Sequence, residues 1–248
     1  MLQPWRTGKI IRVQNESSST RRFWIEVPSL SQFDFKPGQF VTLDLPIHEK
    51  QNKRWRSYSI ASAPDGTNVF ELVIVRLDEG AGTSYLFNEA GEGSELNFRG
   101  PQGVFILPET LDKDLFLICT GTGIAPFRSM VHYIKNQKLP HKEIYLVFGS
   151  RTRQDLLYYE ELLLLQQELK GFHYLPALSR EQWDGRAGYV HAVYEEICET
   201  KSFTEESIRI VSPAIFYLCG WKNMIDEAKQ RILSLGYTKK SIHLEIYG

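Results

Sequence analysis

A cation, an aromatic ring and two hydroxyl groups stand side by side in the segment Arg56-Ser57-Tyr58-Ser59. On a strand, successive side chains point to opposite faces, so Arg56 and Tyr58 would share one face and the two serines the other. Arginine suits a phosphate, and a flat aromatic side chain suits a flat ring. The pattern by itself is also typical of a surface strand made of ordinary β formers. A nearby turn, Gly80-Ala81-Gly82-Thr83-Ser84, is a second candidate phosphate site.

A glycine turn, Gly121-Thr122-Gly123-Ile124-Ala125-Pro126, separates a buried apolar run from a helical pattern. Glycines there let the backbone approach a diphosphate, whose charge a helix N-terminus favours. The turn is not a Walker loop, because no Gly-Lys-Ser/Thr follows it, and Pro126 stands where the usual dinucleotide fingerprint has a third glycine. Taken alone, the segment fits a diphosphate site and a plain tight turn equally well.

Two pairs of a hydroxyl and an arginine follow successive predicted strands, at Ser150-Arg151 and Ser179-Arg180. Sites for NAD often place an acid after such a strand to bind the ribose hydroxyls, whereas arginine suits a 2′-phosphate. No carboxylate occurs after the first pair until Asp155. The alternative is a pair of solvated loop arginines. The pattern favours NADPH.

The Arg56 segment lies within the first hundred residues, whose pattern predicts a series of short strands. Partly alternating β-rich runs cover Arg22–Val27, Gln39–Leu45 and Val69–Leu77, with turn signals such as Pro37-Gly38 between them. We expect a closed antiparallel barrel. One helical piece is expected at Ser84–Ala90.

From Leu115 onward, strands alternate with helices. Leu115–Cys119 is a fully apolar run, typical of a parallel strand buried on both faces, and a helical stretch follows to about Lys138. The later strands are expected at 144–149, 172–178, 215–220 and 242–247, and the later helices at 155–169, 189–199 and 224–235. This rhythm predicts an open parallel sheet with helices on both sides.

The predicted fold therefore has two domains. An N-terminal antiparallel β-barrel covers residues 1–108, and an α/β parallel-sheet domain covers residues 109–248, with the boundary in segment 108–113. No internal repeat is visible.

Composition excludes several classes of protein. The 29 Lys and Arg residues against 30 Asp and Glu give a net charge of −1, which argues against nucleic-acid binding because that needs a basic surplus. The apolar runs, such as Leu162–Leu165, are far shorter than a membrane span, and the N-terminus lacks the apolar core of a signal peptide. We expect a cytoplasmic protein.

The cysteines and histidines predict no metal site. Cys119, Cys198 and Cys219 form no CxxC motif, so a zinc ribbon is disfavoured and a four-thiolate iron–sulfur cluster cannot form within this chain. The six histidines show no metal-ligand spacing. A small and odd number of cysteines is typical of a cytosolic protein with reduced thiols.

Four motifs in order resemble the ferredoxin–NADP reductase superfamily, flavoenzymes with an FAD-binding barrel followed by an NAD(P)-binding domain. They are Arg56–Ser59, Gly121–Pro126, Cys219-Gly220 and the terminal Leu244–Tyr247. Gly100–Phe105 is also similar to a family segment. The resemblance spans essentially the whole chain.

The resemblance implies a role for each matched residue. Arg56 would pair with the flavin diphosphate, Tyr58 would pack against the isoalloxazine, and Ser59 would hydrogen-bond near flavin N5. Ser59, Cys219 and Glu245 would surround the hydride-transfer site, and the ring of Tyr247 would cover the flavin face that nicotinamide must occupy. The cofactor-binding set implied in this way is Arg56, Ser57, Tyr58, Ser59, Val75, Gly82, Thr83, Ser84, Thr122, Ser150, Arg151, Ser179, Arg180 and Tyr247.

Three features depart from the plant-type pattern or conflict with one another. Gly248 follows Tyr247, so the aromatic residue is not itself the last residue, in contrast to the plant-type pattern. Trp183–His191 looks like bacterial oxygenase reductases, many of which use NADH. Ala177–Gln182 instead resembles the 2′-phosphate-binding stretch of NADP-specific members. We favour NADPH over NADH because a Ser-Arg pair has a direct physical role there.

The function that follows is a flavoprotein oxidoreductase. NADPH would deliver hydride to FAD, and single electrons would pass to a separate ferredoxin or flavodoxin, with the enzyme a monomer. The first alternative is an NADH-dependent reductase component of an oxygenase system. The second is a non-catalytic partner subunit that keeps the fold for assembly.

Overall fold

The computed structural model describes residues 3–205 and 208–247. They form two compact units: the chain up to Leu107 together with Ala125–Gln137, and Pro108–Ile124 together with the chain from Lys138 onward. The domain boundary expected between residues 108 and 109 remains a prediction.

The first unit is an antiparallel six-stranded sheet with two helices. Its elements are β1 (Trp5–Asn15), β2 (Thr20–Glu26), β3 (Phe40–Asp44), β4 (Trp55–Ser59), β5 (Val69–Val75), α1 (Ala81–Asn88), β6 (Glu95–Gln102) and α2 (Ala125–Asn136). The strand order is β4-β3-β6-β1-β2-β5, and the two edges meet through a bridge between Ile60 and Leu72. This closure confirms the antiparallel barrel and leaves β4, with its Arg56 segment, beside the seam.

Apolar side chains of these strands and of the segment between β2 and β3 fill the barrel. Phe33, Phe70 and Phe98 are almost completely buried, and their ring centroids lie 4.9 Å (Phe33–Phe70), 5.7 Å (Phe33–Phe98) and 5.2 Å (Phe70–Phe98) apart. Tilted and edge-on aromatic contacts of this kind add to the free energy gained by burial. Packing inside the barrel therefore stabilises the sheet to which β4 and its candidate flavin residues belong.

Helix α1 begins three residues earlier than the expected Ser84–Ala90. Gly80 is the extended residue before the first turn, and Ala81 and Gly82 are already helical. The expectation was wrong at this end because glycine has low helix propensity, which made the turn look separate from the helix.

Helix α2 packs on the barrel within the first unit. The Ser129 hydroxyl donates to the carbonyl of Ser62 over 2.6 Å, and Arg128 donates to the carbonyl of Ala61 over 2.9 Å. Pro126 lies in the first turn of the helix, where its missing N–H costs no intrahelical hydrogen bond. This explains how proline occupies the position of the usual third glycine.

The second unit is built on a parallel sheet in the order β10-β9-β8-β7-β13-β14. Its elements are β7 (Asp114–Thr120), β8 (Ile144–Ser150), α3 (Tyr159–Glu168), β9 (Phe172–Leu178), β10 (Arg186–Ala187), α4 (Val190–Thr200), β11 (Phe203–Glu205), β12 (Ile208–Ile210), β13 (Ala214–Trp221), α5 (Lys222–Ser234) and β14 (Ile242–Tyr247). The β–α rhythm expected from the sequence is confirmed. The antiparallel pairing of β11 with β12 was not expected.

Helix α3 begins later than the expected Asp155. A 3-10 turn occupies Arg153–Asp155, and Tyr158 adopts a left-handed conformation with φ of 56°, which prevents a continuous helix. A positive φ is uncommon for a residue with a side chain, so hydrophobic periodicity gives no sign of it.

Within residues 3–205 and 208–247, no helix is long and apolar enough to cross a membrane. All three cysteines are buried, free thiols. In the same part of the chain, no group of three His, Cys, Asp or Glu side chains could hold a metal ion.

Candidate functional site

In the first unit, the Arg56 side chain lies across the first turn of α1. A β-carbon at residue 82 would lie only 2.9 Å from Cγ and 3.2 Å from Nε of Arg56, so this close approach requires glycine. Nη1 of Arg56 donates to the carbonyls of Lys53, at 3.1 Å, and Trp55, at 2.8 Å. These bonds fix the guanidinium beside the start of the helix.

The start of α1 offers backbone donors next to this guanidinium. The first N–H groups of a helix have no intrahelical acceptor, which holds here for Ala81, Gly82 and Thr83. Together with the Arg56 charge they suit a diphosphate. This arrangement fits the diphosphate of FAD.

The Thr83 hydroxyl makes hydrogen bonds to the backbone of the turn that precedes α1. It accepts the N–H of Leu77 over 3.1 Å and donates to the carbonyl of Gly80 over 3.0 Å. The only hydrogen-bond donor that Thr83 can therefore offer a phosphate is its backbone N–H. Ser84 is half-buried in the same turn, and Val75 ends β5 opposite Thr20.

The remaining β4 residues lie as the strand alternation predicts. Tyr58 is half-buried, and burial raises the pKa of its hydroxyl to about 12, while the Arg56 charge lowers it in part. The ring therefore stays neutral and can pack against a flat heteroaromatic ring. Ser59 is 4% exposed and pairs with Phe40, while the Ser57 hydroxyl lies 3.1 Å from that of Thr42.

In the second unit, three neighbouring parallel strands bring Cys119, Cys219 and Glu245 into one row. Cys219 of β13 is in register with Cys119 of β7 on one side and with Glu245 of β14 on the other. The two cysteines are fully buried and Glu245 is half-buried. Residues far apart in the chain thus meet towards the carboxyl ends of the strands, the edge at which ligands bind in such sheets.

Burial decides the protonation state of Cys219. It raises the pKa of the thiol well above its usual range, and the Glu245 carboxylate and Cys119 raise it further. A hydrogen bond with Tyr247 lowers it in part, and the Tyr247 hydroxyl oxygen is itself buried. Cys219 is therefore a neutral thiol at physiological pH. Gly248, which follows Tyr247, lies outside the described residues.

Two glycines at the same edge of the sheet allow backbone segments to pack closely there. A β-carbon at Gly123 would lie 2.4 Å from the carbonyl oxygen of Cys219, and one at Gly220 would lie 2.6 Å from Oγ1 of Thr120. Gly220 also has a φ of 142°, which side-chain-bearing residues rarely adopt. The turn that carries the half-buried Thr122 therefore packs directly on the β13 backbone.

The two hydroxyl–arginine pairs are brought together by hydrogen bonds that continue beyond β8 and β9. Ser179 donates its N–H to the carbonyl of Ser150, and Arg180 donates to that of Arg151, both over 3.0 Å. Both arginines are exposed and both serines half-buried. The structure thus groups four predicted coenzyme residues on one edge of the sheet.

Sequence reasoning missed a buried carboxylate in the first unit. Glu71 is 2% exposed, binds Arg22 through two bonds of 2.6 and 3.1 Å, and binds Arg128 of α2 at 3.2 Å. Its backbone N–H donates to the hydroxyl of Ser62, three residues after Ser59. A lone glutamate within the apolar run of β5 was the available signal.

Comparison with known proteins identifies the family. The chain matches an oxidoreductase FAD-binding domain over residues 7–106 and an oxidoreductase NAD-binding domain over residues 117–230. Ferredoxin–NADP reductase B of Sorangium cellulosum is 32% identical over 97% of this chain and 96% of its own length.

Two further similarities cover different shares of the matched proteins. The anthranilate 1,2-dioxygenase electron transfer component of Acinetobacter baylyi is 32% identical over 81% of this chain, which spans only 54% of that protein. A crystal structure of a ferredoxin NADP+ reductase from Neisseria gonorrhoeae with bound FAD and NADP is 25% identical, with a TM-score of 0.80 over 98% of both chains. The chain therefore belongs to the ferredoxin–NADP reductase family and is an FAD-dependent NAD(P)H oxidoreductase.

Proposed function

We propose that this protein is a ferredoxin/flavodoxin–NADP reductase. It transfers hydride from NADPH to FAD and passes single electrons on to a separate ferredoxin or flavodoxin. The observation that carries the proposal is the pairing of Arg151 with Arg180 at the sheet edge, joined by a 3.0 Å backbone bond. Two guanidinium groups at one edge suit the 2′-phosphate that distinguishes NADPH from NADH.

Different residues of the first unit bind and orient different parts of FAD in this proposal. Arg56 and the first turn of α1 neutralise the diphosphate of FAD, and the neutral Tyr58 ring packs against the flavin. Bound FAD accepts electrons in pairs and releases them singly. Ser59 donates or accepts a hydrogen bond at the reacting edge without bringing a charge there.

Cys219 and Glu245 act at the nicotinamide end. The Cys219 thiol is neutral and buried, so it shapes the site without attacking the nicotinamide ring. Glu245 is half-buried beside it and supplies the one carboxylate of the row. We assign both to positioning the ring for transfer and Tyr247 to screening the flavin from water.

The electron acceptor is a separate protein in this proposal. The three thiols of the chain are buried and lie in no CxxC motif, so four-thiolate ligation of a cluster within the chain is excluded. The ferredoxin–NADP reductase of Sorangium cellulosum, matched over 96% of its length, supports a ferredoxin-type acceptor. We further propose that the enzyme is a monomer and works in the cytoplasm.

A second candidate is an NADH-dependent reductase component of an oxygenase system. The similarity to a dioxygenase electron transfer component, at 32% identity, favours it, as does the segment Trp183–His191. The two candidates differ in coenzyme, because an oxygenase reductase of this type would use NADH.

Flavin bleaching after rapid mixing tests the proposal. Purified protein should be yellow and should bleach faster with NADPH than with NADH at equal low concentrations. A purified ferredoxin added with NADPH should then be reduced. Faster bleaching with NADH would favour the oxygenase reductase, and no bleaching with either coenzyme would leave only a non-catalytic subunit.

A further inference from the structure

Two loops at the carboxyl ends of β8 and β9 carry the arginines assigned to the coenzyme. We call residues 150–153 the first arginine loop and residues 179–182 the second arginine loop. Two backbone hydrogen bonds of 3.0 Å join them, from Ser179 to Ser150 and from Arg180 to Arg151. These bonds extend the ladder between β8 and β9, so they hold only the first half of the first arginine loop.

A third hydrogen bond between the loops comes from a side chain. The Glu181 carboxylate accepts the backbone N–H of Arg153 over 2.8 Å. Glu181 is half-buried and directly follows Arg180. Its bond reaches the first arginine loop two residues beyond the last backbone bond, which ends at Arg151. The backbone of Arg151 is therefore held on both sides, at its own carbonyl and two residues later.

The serine hydroxyls of both loops are used as donors within the loops. Ser150 donates to the carbonyl of Thr152, and Ser179 donates to the carbonyl of Ser150, both over 3.2 Å. A hydroxyl has only one proton to donate. This leaves the exposed guanidinium groups of Arg151 and Arg180 as the side-chain donors that the two Ser-Arg pairs present to a phosphate. Phosphate binding then depends on the spacing of these arginines, which the loop backbone sets.

Arg153 takes part in this arrangement through its backbone alone. Its guanidinium carbon lies 5.9 Å from the ring centre of Tyr159, the first residue of α3. A cation–π contact of this kind directs the side chain towards the ring. The bond from the Arg153 N–H to Glu181 is therefore independent of the Arg153 charge.

The charge of Glu181 by itself opposes phosphate binding. A carboxylate beside a phosphate-binding arginine repels an anionic ligand. Against this, a hydrogen bond from a backbone N–H to an ionised acceptor is stronger than one between neutral groups. A loop that is already ordered also loses less conformational entropy when the ligand binds. Glu181 favours binding only if the order that it gives the loop outweighs the repulsion.

We propose that Glu181 is a positioning residue for NADPH, and that this gain in order does outweigh the repulsion. Its bond to Arg153 fixes the first arginine loop against the second, so that Arg151 and Arg180 are held at the spacing that one 2′-phosphate requires. Glu181 acts through these arginines and touches no reacting atom. The inference rests on the function proposed above, in which NADPH is the coenzyme.

Three variants separate the hydrogen bond of Glu181 from its charge. Glu181→Ala removes both, whereas Glu181→Gln loses the charge and keeps an oxygen that can accept the Arg153 N–H. Asp184→Ala is the matched control, because it removes an exposed carboxylate three residues later and leaves the bond in place. Each variant is titrated calorimetrically with adenosine 2′,5′-bisphosphate, which carries the 2′-phosphate, and is assayed with NADPH and NADH.

Only Glu181→Ala should lose affinity for the 2′-phosphate. It should bind adenosine 2′,5′-bisphosphate about five- to tenfold more weakly and raise the KM for NADPH by a similar factor, because a charge-assisted bond and the order of the loop are lost. Its kcat with NADPH and its kcat/KM with NADH should stay within about twofold of wild type. Glu181→Gln and Asp184→Ala should bind the bisphosphate at least as tightly as wild type.

The results separate this inference from the proposed function. If wild type prefers NADPH and Glu181→Ala keeps its affinity for the bisphosphate, the inference fails and the proposed function stands. Binding as weak in Glu181→Gln or Asp184→Ala as in Glu181→Ala would also overturn it, because charge would then be the cause. An equal loss of kcat/KM with NADH would make Glu181 a general structural residue. Wild type that prefers NADH would overturn both proposals.

Discussion

Arg180 donates its backbone N–H to the carbonyl oxygen of Arg151 over 3.0 Å, just beyond the ends of β8 and β9. Because both side chains are exposed at the same edge, one 2′-phosphate can meet both. Arg151→Ala and Arg180→Ala should each raise the KM for NADPH about tenfold or more, since a hydrogen bond to a charged group contributes roughly 1.5–3 kcal/mol. The KM for NADH should hardly change.

Steady-state kinetics with both coenzymes measures this difference. Arg186→Ala is the matched control, because Arg186 is exposed nearby but is paired with Glu196 at 2.5 Å. If Arg151→Ala and Arg180→Ala raise the KM for NADH as much as the KM for NADPH, these arginines do not bind the 2′-phosphate.

Arg56 and Gly82 should act together on flavin retention. Arg56→Ala should weaken FAD binding by about ten- to a hundredfold, because it removes a charge-assisted hydrogen bond to the diphosphate. Gly82→Ala should weaken it as well, since the added methyl would lie 2.9 Å from Cγ of Arg56 and displace that side chain. Fluorescence titration of apoprotein with FAD measures both. An exposed control, Arg12→Ala, should bind FAD normally, and normal binding by Arg56→Ala would refute the assignment.

Tyr247 offers a test of the hydride-transfer site. If its ring screens the flavin, Tyr247→Ser should bind oxidised coenzyme more tightly and turn over more slowly through product release. Tyr247→Phe keeps the ring and loses the hydroxyl beside Cys219, so it should behave like wild type in both respects. Stopped-flow bleaching and NADP+ titration separate the two variants. Unchanged affinity and rate in Tyr247→Ser would make Tyr247 a packing residue.

Glu71 should stabilise the barrel. Its carboxylate is 2% exposed and pairs with Arg22 and Arg128, so Glu71→Gln removes the buried negative charge that faces these two half-buried guanidinium groups. Removing one partner of a buried ion pair costs about 3–5 kcal/mol, and we expect a loss of unfolding free energy of about 3 kcal/mol. Urea denaturation measures it. Glu196→Gln, which breaks an exposed pair, should leave the midpoint near wild type. Equal midpoints for the two variants would contradict the prediction.

The buried thiols predict a loss of stability at alkaline pH. Burial raises the pKa of both Cys119 and Cys219 in the folded chain. The unfolded chain releases those protons above a pKa of about 8.5, so unfolding free energy should fall above that pH by up to about 1.4 kcal/mol per pH unit for each thiol. Urea denaturation at several pH values checks the slope.

Cys219→Ser is the control for that slope. It should reduce the alkaline loss, and native protein should resist iodoacetamide at pH 8 until it is unfolded. Rapid labelling of folded wild type would contradict the burial of these thiols.

Several elements followed directly from local patterns. The apolar run Leu115–Cys119 predicted a doubly buried strand, and alternation predicted the strands of the barrel, because side-chain periodicity depends only on neighbours in sequence. Helix starts were less accurate. Gly82 and the left-handed Tyr158 changed the first turns of α1 and α3 through backbone conformation, which hydrophobic periodicity does not report.

The motifs at Arg56–Ser59 and Gly121–Pro126 were visible in the chain itself, because each is a run of neighbouring residues whose types suit one ligand group. Tertiary structure alone decided which distant residues meet. It placed Cys119, Cys219 and Glu245 in one row through strand pairing, and it used the Thr83 hydroxyl to close a turn. It also brought the Arg99 guanidinium within 5.0 Å of the ring centre of Trp5 and 5.1 Å of that of Trp55, from three separate strands. Residue types and spacing determine which chemistry a segment can perform, whereas sheet register and burial determine its partners and protonation, since both depend on contacts between segments far apart in the chain.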